Sequence, residues 1–170
     1  MFKTLRSICV LFFVVSTASA QNYEADTESV DSIIAAVYES ISGAANEERD
    51  WDRFRNMFAP EAQLIPIRVT PDTTHAVFHS VEAYIERVTP YFMQNGFFEV
   101  EIAKKTERYG HMVHAFSTYE SRAKADDEKP FSRGINSIQL LHDGNRWWII
   151  NIFWDAETPD QIIPATYLPN

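Results

Sequence analysis

The side chains able to move a proton near neutral pH are the five histidines, His75, His79, His111, His114 and His142, and their spacing limits what they can do together. His111 and His114 stand three apart in one predicted strand, so they point to opposite faces of a sheet and cannot jointly hold one metal ion. One of them faces inward, and His114 is the candidate general base. His75 and His79 share a face if their strand is regular, and two imidazoles can begin a metal site. No carboxylate or third histidine follows at a supporting spacing, and Phe78 claims the inward direction, so the pair reads as a solvated edge. The one cysteine, Cys9, lies within the first 20 residues, which leaves the remaining chain without thiolate chemistry, disulfides or cysteine-ligated metal. No metal and no cofactor is therefore expected.

Those first residues read as a secretory signal. Lys3 and Arg6 form a basic start, Ser7 to Val15 is nearly all apolar, and Ala18-Ser19-Ala20 fits the small-x-small rule, so the cut is expected before Gln21. The apolar run is far short of the roughly 20 residues a membrane-spanning helix needs. The expectation is an exported protein, periplasmic or extracellular, with no membrane attachment after cleavage. Loss of Lys3 and Arg6 removes two positive charges and takes the net charge from −9 to −11. Such a surface repels nucleic acids and anionic lipid. The cluster Lys104-Lys105 with Arg108 is interrupted by Glu101 and Glu107 and reads as a solvated strand face.

The elements that must position any site follow from periodicity. Val30, Ile33, Ile34, Val37, Tyr38 and Ile41 recur at helical spacing over about 27 to 43, closed by Gly43. Asp50 can cap a second helix with Trp51, Phe54 and Phe58 on one side, stopped by Pro60. Short strands are expected over Gln63 to Val69 and Ala76 to Phe78. A third helix then runs from the cap Ser80 to Asn95-Gly96 and contains Pro90. From Phe97 the period becomes two, with Phe98, Val100 and Ile102 alternating with Glu99, Glu101 and Ala103. Tyr109-Gly110 turns into His111 to Arg122, and Phe131 to Leu141 and Arg146 to Trp154 flank the hairpin signal His142-Asp143-Gly144-Asn145. One α+β domain is expected over 21–170, with a Pro-containing tail from about 159 laid onto the body.

This order, with Arg146-Trp147-Trp148-Ile149-Ile150 after an Asp-Gly turn and a strand ending Phe153-Trp154-Asp155, resembles the NTF2-like superfamily, in particular its SnoaL-like and ketosteroid-isomerase-like branch, over residues 27 to 157. The resemblance implies a cone-shaped curved antiparallel sheet wrapped around three helices, with a pocket between them and frequent homodimers through the convex face. It also implies Tyr38 and Asn136 as hydrogen-bond donors. The family's carboxylate position falls at Ile65-Pro66-Ile67, so the usual base is missing, and His114 would resemble the histidines of scytalone dehydratase.

Ser132, Gly134, Asn136 and Ile138 share one strand face, and Arg133, Ile135, Ser137 and Gln139 the other. A bulge at Gly144 would set Asn136 across from Ile150 and Gly134 across from Ile152, bringing Trp148, Ile150, Ile152 and Trp154 into the pocket wall. The opposite register would put Arg133 inside and change the expected ligand from apolar to anionic. Trp147 and Trp148 point to opposite sides, one of them onto the convex face, where a second copy or the tail would cover it. The favoured reading is a binder of a small, mostly apolar molecule through Tyr38, Asn136, Ile150, Ile152 and Trp154. A lyase or isomerase using His114, and a non-catalytic interaction module with a filled cone, are the alternatives. Intact-mass analysis of the exported protein should find a chain beginning at Gln21; a mass that retains residues 1 to 20 would refute the processing site.

Overall fold

The structure is a computed structural model and describes residues 23–169; the expected signal segment 1–20 and the expected cut before Gln21 lie outside the described residues. A short 3-10 turn, Glu24–Thr27, precedes helix α1, Val30–Ile41. Ser29 and Ser32 cap α1 reciprocally, and its apolar stripe buries Ile33, Ile34, Val37, Tyr38 and Ile41. Helix α2, Trp51–Asn56, starts where the Asp50 carboxylate accepts from the Arg53 amide. Phe58, expected on that helix, instead opens strand β1, Phe58–Val69, and Pro60 lies inside the strand rather than ending a helix. The ladder is irregular there, with Glu61 at φ 65° and a register shift between Phe58 and Gln63. That is where a residue without an N–H is tolerated.

Two short strands, β2 (Thr74–Ala76) and β3 (His79–Ser80), lead into helix α3, Val81–Asn95, capped by Ser80 and stopped at Gly96 with φ 71°. Four long strands follow: β4 (Phe98–Tyr109), β5 (Met112–Arg122), β6 (Ser132–His142) and β7 (Trp147–Ala156). They form one sheet of order β2-β1-β7-β6-β5-β4, with β3 also pairing with β1. The expected all-antiparallel sheet needs one correction, because β1 runs parallel to β7. The chain leaves β1 at one side, crosses through α3, and meanders back from the far edge to lie beside it. No helix among the described residues is long and apolar enough to cross a membrane.

Two bulges set which side chains face the helices. In β4 the register shifts between Glu101 and Ala103, so Ile102 drops out of pairing. The shift turns Val100 outward, 45% exposed, and sends Glu99 and Glu101 inward opposite Ser121 and Tyr119. In β7 the extra residue is Ile150, and the bulge lies there rather than at Gly144. Asn136 consequently faces Trp154 and Ile138 faces Ile152. Trp147 and Ile149 enter the core, while Trp148 turns outward. The Arg146 guanidinium lies 3.9 Å over the Trp148 ring, whose Nε1 donates to Asp143 at 2.7 Å.

The tail lies across the convex face of the sheet. Thr118 Oγ1 donates to the Tyr167 carbonyl at 2.6 Å, the Tyr167 ring meets Phe116 at 5.1 Å, and Ile163 is buried.

Arg49 fastens the end of α1 to the start of β4. Its guanidinium donates to the carbonyls of Ile41 (3.0 Å), Gly43 (2.6 Å), Glu47 (2.5 Å) and Ala44 (3.3 Å), and Gly43 bridges to Phe97. A side chain at Gly43 would collide with that guanidinium. Arg49→Met should therefore lower stability by about 2–3 kcal/mol in urea unfolding, because buried carbonyls lose their donors while the apolar stem is kept.

Candidate functional site

Between the concave face of the sheet and α1 and α3 lies a cavity of about 780 Å³. Its walls are mainly apolar and aromatic, with Leu64, Tyr84, Ile152 and Trp154 among them, and its polar groups are few: Glu99, Tyr119, Ser121, Ser132 and Asn136 inside, with Arg68 and Arg87 also on its lining. That is the composition of a small-molecule site. A smaller hollow of about 210 Å³ lies on the opposite face of the sheet, between Phe116, Ile135, Phe153 and the tail.

Glu99 is the one carboxyl on the cavity wall. Ser121 Oγ donates to it at 2.7 Å, and the Asn136 amide also hydrogen-bonds it. Burial pushes its pKa up from 4.5 to about 7, because desolvation of the anion outweighs those two donors. Its backbone N–H donates to Ser42 Oγ at 3.0 Å, and Ser42 donates in turn to the Tyr38 carbonyl at 2.7 Å, so the last turn of α1 fixes its position.

Behind the wall runs a chain of hydroxyls whose direction can be worked out. Ser117 Oγ gives its proton to Glu101 in a short bond, so the Tyr38 hydroxyl, 2.7 Å from Ser117, must donate to that oxygen. Tyr38 then accepts from Asn136 Nδ2 at 3.0 Å. The order of donation is Asn136 to Tyr38 to Ser117 to Glu101, across β6, α1, β5 and β4. Burial and the charge of Glu99 raise the Tyr38 pKa well above its ordinary value, which keeps the proton on the ring oxygen.

Tyr84 is different. It stands in α3 at the cavity wall, packed on Phe54 and edge-on to Trp154, and its hydroxyl has no hydrogen-bond partner among the described residues. Burial, then the charge of Glu99, raises its pKa, so it remains a donor at neutral pH. Tyr119 is raised in the same order. Its hydroxyl lies over Gly134, where a β-carbon would strike it.

The residues singled out from the sequence divide. Asn136, Ile152 and Trp154 line the cavity, whereas Tyr38 sits one layer behind and holds Asn136. Ile150 does not reach the wall: as the bulge residue of β7 it turns outward and is 37% exposed. His114 is likewise on the outer face, with Nε2 3.0 Å from Ser137 Oγ and Nδ1 4.0 Å from Glu107, and cannot serve the cavity as a base. His75 and His79 fall in separate strands. Phe78, expected inward, is 64% exposed, and it is His79 that turns in. Among the described residues no group of three or more His, Cys, Asp or Glu is placed to hold a metal ion. Pro66 and Ile67 line the cavity at the family's carboxylate position, so the carboxyl comes from β4 instead. Sequence reasoning missed Glu99 because the bulge at Ile102 inverts the strand's alternation. The signal it left is the polar set Ser117, Tyr119 and Ser121 on the facing strand.

An α+β cone that holds a cavity between a curved, unclosed sheet and three helices is the NTF2-like fold, and this chain has it. An NTF2-like protein of unknown function from Pseudomonas putida superposes with a TM-score of 0.57 at 12% identity, covering 82% of this chain and 94% of its own. A protein of unknown function with a cystatin-like fold from Nostoc punctiforme gives 0.58 at 10% identity, over 76% and 90% of the two chains. A candidate ketosteroid isomerase from Parabacteroides distasonis gives 0.52 at 11% identity, over 79% and 98%. At these identities the likeness is one of fold, without assigning a branch. No family model matches the sequence, and no curated protein matches it.

Folding raises the Glu99 pKa, so the stability tied to its protonated form is complete below about pH 4.5 and is lost as the pH rises through about 7. Relative to Glu99→Gln, the wild type should lose up to about 3 kcal/mol over that window in urea unfolding. The Glu99 carboxyl carbon, followed by NMR, should titrate near pH 7.

Proposed function

We propose that this is an exported protein whose cone binds a small, mostly apolar carbonyl compound, and that Glu99 exchanges a proton with it. The observation that carries the reading is a carboxyl with its pKa pushed up to about 7 on the wall of the main cavity, beside a tyrosine hydroxyl that has no hydrogen-bond partner among the described residues. A base is most effective when its pKa lies near the working pH.

In the proposed step the Glu99 carboxylate takes a proton from the carbon next to the carbonyl. The C–H electron pair moves into the new carbon–carbon double bond, and the negative charge gathers on the carbonyl oxygen. Tyr84 donates to that oxygen, and its raised pKa keeps the proton available without transferring it. Returning the proton to the same or a neighbouring carbon completes exchange or isomerisation, with no external oxidant or reductant. Asn136 turns its N–H groups to Tyr38 and Glu99, so its amide oxygen is left to accept from a ligand hydroxyl. The open volume of the cone argues against the interaction module with a filled cone.

The test is deuterium uptake from D2O at the α-carbon of a panel of cyclic and aryl ketones, followed by proton NMR. The exchange rate should climb as the pH passes about 7, where the carboxylate forms. Glu99→Gln should slow it at least ~100-fold, and Tyr84→Phe about 10-fold or more. His114→Ala, altered on the outer face, should stay within about twofold of wild type. Undiminished exchange in Glu99→Gln would overturn the proton-transfer role.

A further inference from the structure

The deep part of the cavity is apolar and acidic, but its rim is not. Leu64, Pro66 and Arg68 alternate along β1, and all three line the cavity, so Arg68 is the outer end of a wall face. Tyr84, Arg87, Val88 and Tyr91 follow one another at helical spacing on α3 and also line it, which puts Arg87 one turn outward from the Tyr84 hydroxyl. Arg68 and Arg87 are both exposed, and they border the same opening.

Neither guanidinium has a hydrogen bond or an ion pair with any described residue. Every other arginine among the described residues is engaged within the chain, from Arg49 on its carbonyls to Arg133 on Glu157. Both also act on one neighbouring side chain. The imidazole of His79, whose buried Nε2 has no hydrogen-bond partner among the described residues, is held below its ordinary pKa by burial and then by the charges of Arg87 and Arg68. Two like charges without a counter-ion among the described residues, on the lining of one cavity, have the chemistry to receive an anion.

We propose that Arg68 and Arg87 receive an anionic group, a carboxylate or a sulfonate-like head, at one end of a ligand whose apolar body enters the cone. The ligand class is thus an amphiphilic acid with its charge at the mouth and its reactive or hydroxylated end near Glu99 and Asn136. The inference rests on the reading of the cone as a binding cavity, and it does not depend on proton exchange by Glu99. It also differs from the anionic alternative read in the sequence, which needed Arg133 inside. Arg133 is on the outer face and is paired with Glu157 at 2.7 Å.

Two dyes of nearly the same shape separate the possibilities: 1-anilinonaphthalene-8-sulfonate and N-phenyl-1-naphthylamine, which lacks the sulfonate. Fluorescence titration of the full mature protein at low salt should show the sulfonate bound at least 10-fold more tightly. In the Arg68→Gln/Arg87→Gln double variant that preference should fall below about twofold, while affinity for the neutral dye is unchanged. Both side chains are exposed and unbonded, so the variant is expected to fold, which its unfolding midpoint in urea checks. Equal affinity of the two dyes for wild type, or a preference that survives in the double variant, would overturn the anion site alone. Failure of both dyes to bind would overturn the cavity reading on which it rests.

Discussion

Bending a sheet far enough to enclose a cavity means that strands cannot stay in one register along their whole length, and here single residues are dropped from pairing at Ile102 and Ile150. Each bulge does two things. It adds local bend and twist, and it exchanges which of two neighbouring side chains faces the helices. In β7 the exchange delivers Trp147 and Ile149 to the core without displacing Ile152 from it. In β4 it delivers Glu99 and Glu101 to a face that regular alternation would have filled with Phe98 and Val100. The site and the curvature thus share one origin, since straightening β4 would withdraw the carboxyl from the cavity.

A carboxyl so placed is costly unless it is neutral or well hydrogen-bonded. Glu99 is between those states. Ser121 and Asn136 supply donors, but burial still wins. Asn136 is in turn held by Tyr38, and the one-way donation through Ser117 to Glu101 leaves no hydroxyl in that chain free to reorient on its own. Rigidity behind the wall contrasts with freedom at its surface, where the Tyr84 hydroxyl is uncommitted. Networks of this kind strengthen when complete and weaken sharply when one member is lost.

Much of this architecture could be read from the sequence because the signals were local. Asp50 and Ser80 announce helix starts by their capping chemistry, Gly96 announces a stop, and Asp143-Gly144 announces a hairpin; all four act where they stand. The inward face of β6 was also legible, since placing Asn136 among apolar groups is the choice that leaves Arg133 in water. What could not be read depended on partners far away in the chain. The parallel pairing of β1 with β7 brings together segments about 90 residues apart, and nothing within either segment marks it. The bulges likewise depend on how a strand meets its neighbour. Glu99 reads only as part of a regular alternation with Phe98 and Val100, and which of His111 and His114 faces the cavity could not be fixed from their spacing. A strand carrying Glu99 and Glu101 opposite Tyr119 and Ser121 is the pattern from which a polar lining could have been inferred.

The covered outer face of the sheet has a consequence for assembly. Residues that lead through Pro164 to Tyr167 rest on β4 and β5, tied by Thr118 and by Lys105, whose Nζ reaches Thr166 at 2.6 Å. A second copy approaching that face meets a ligand already tethered to it, present at an effective concentration of order millimolar however dilute the protein is. Any contact of another molecule with this covered back of the cone would therefore have to displace the tail first, which makes the tail an internal competitor for that face.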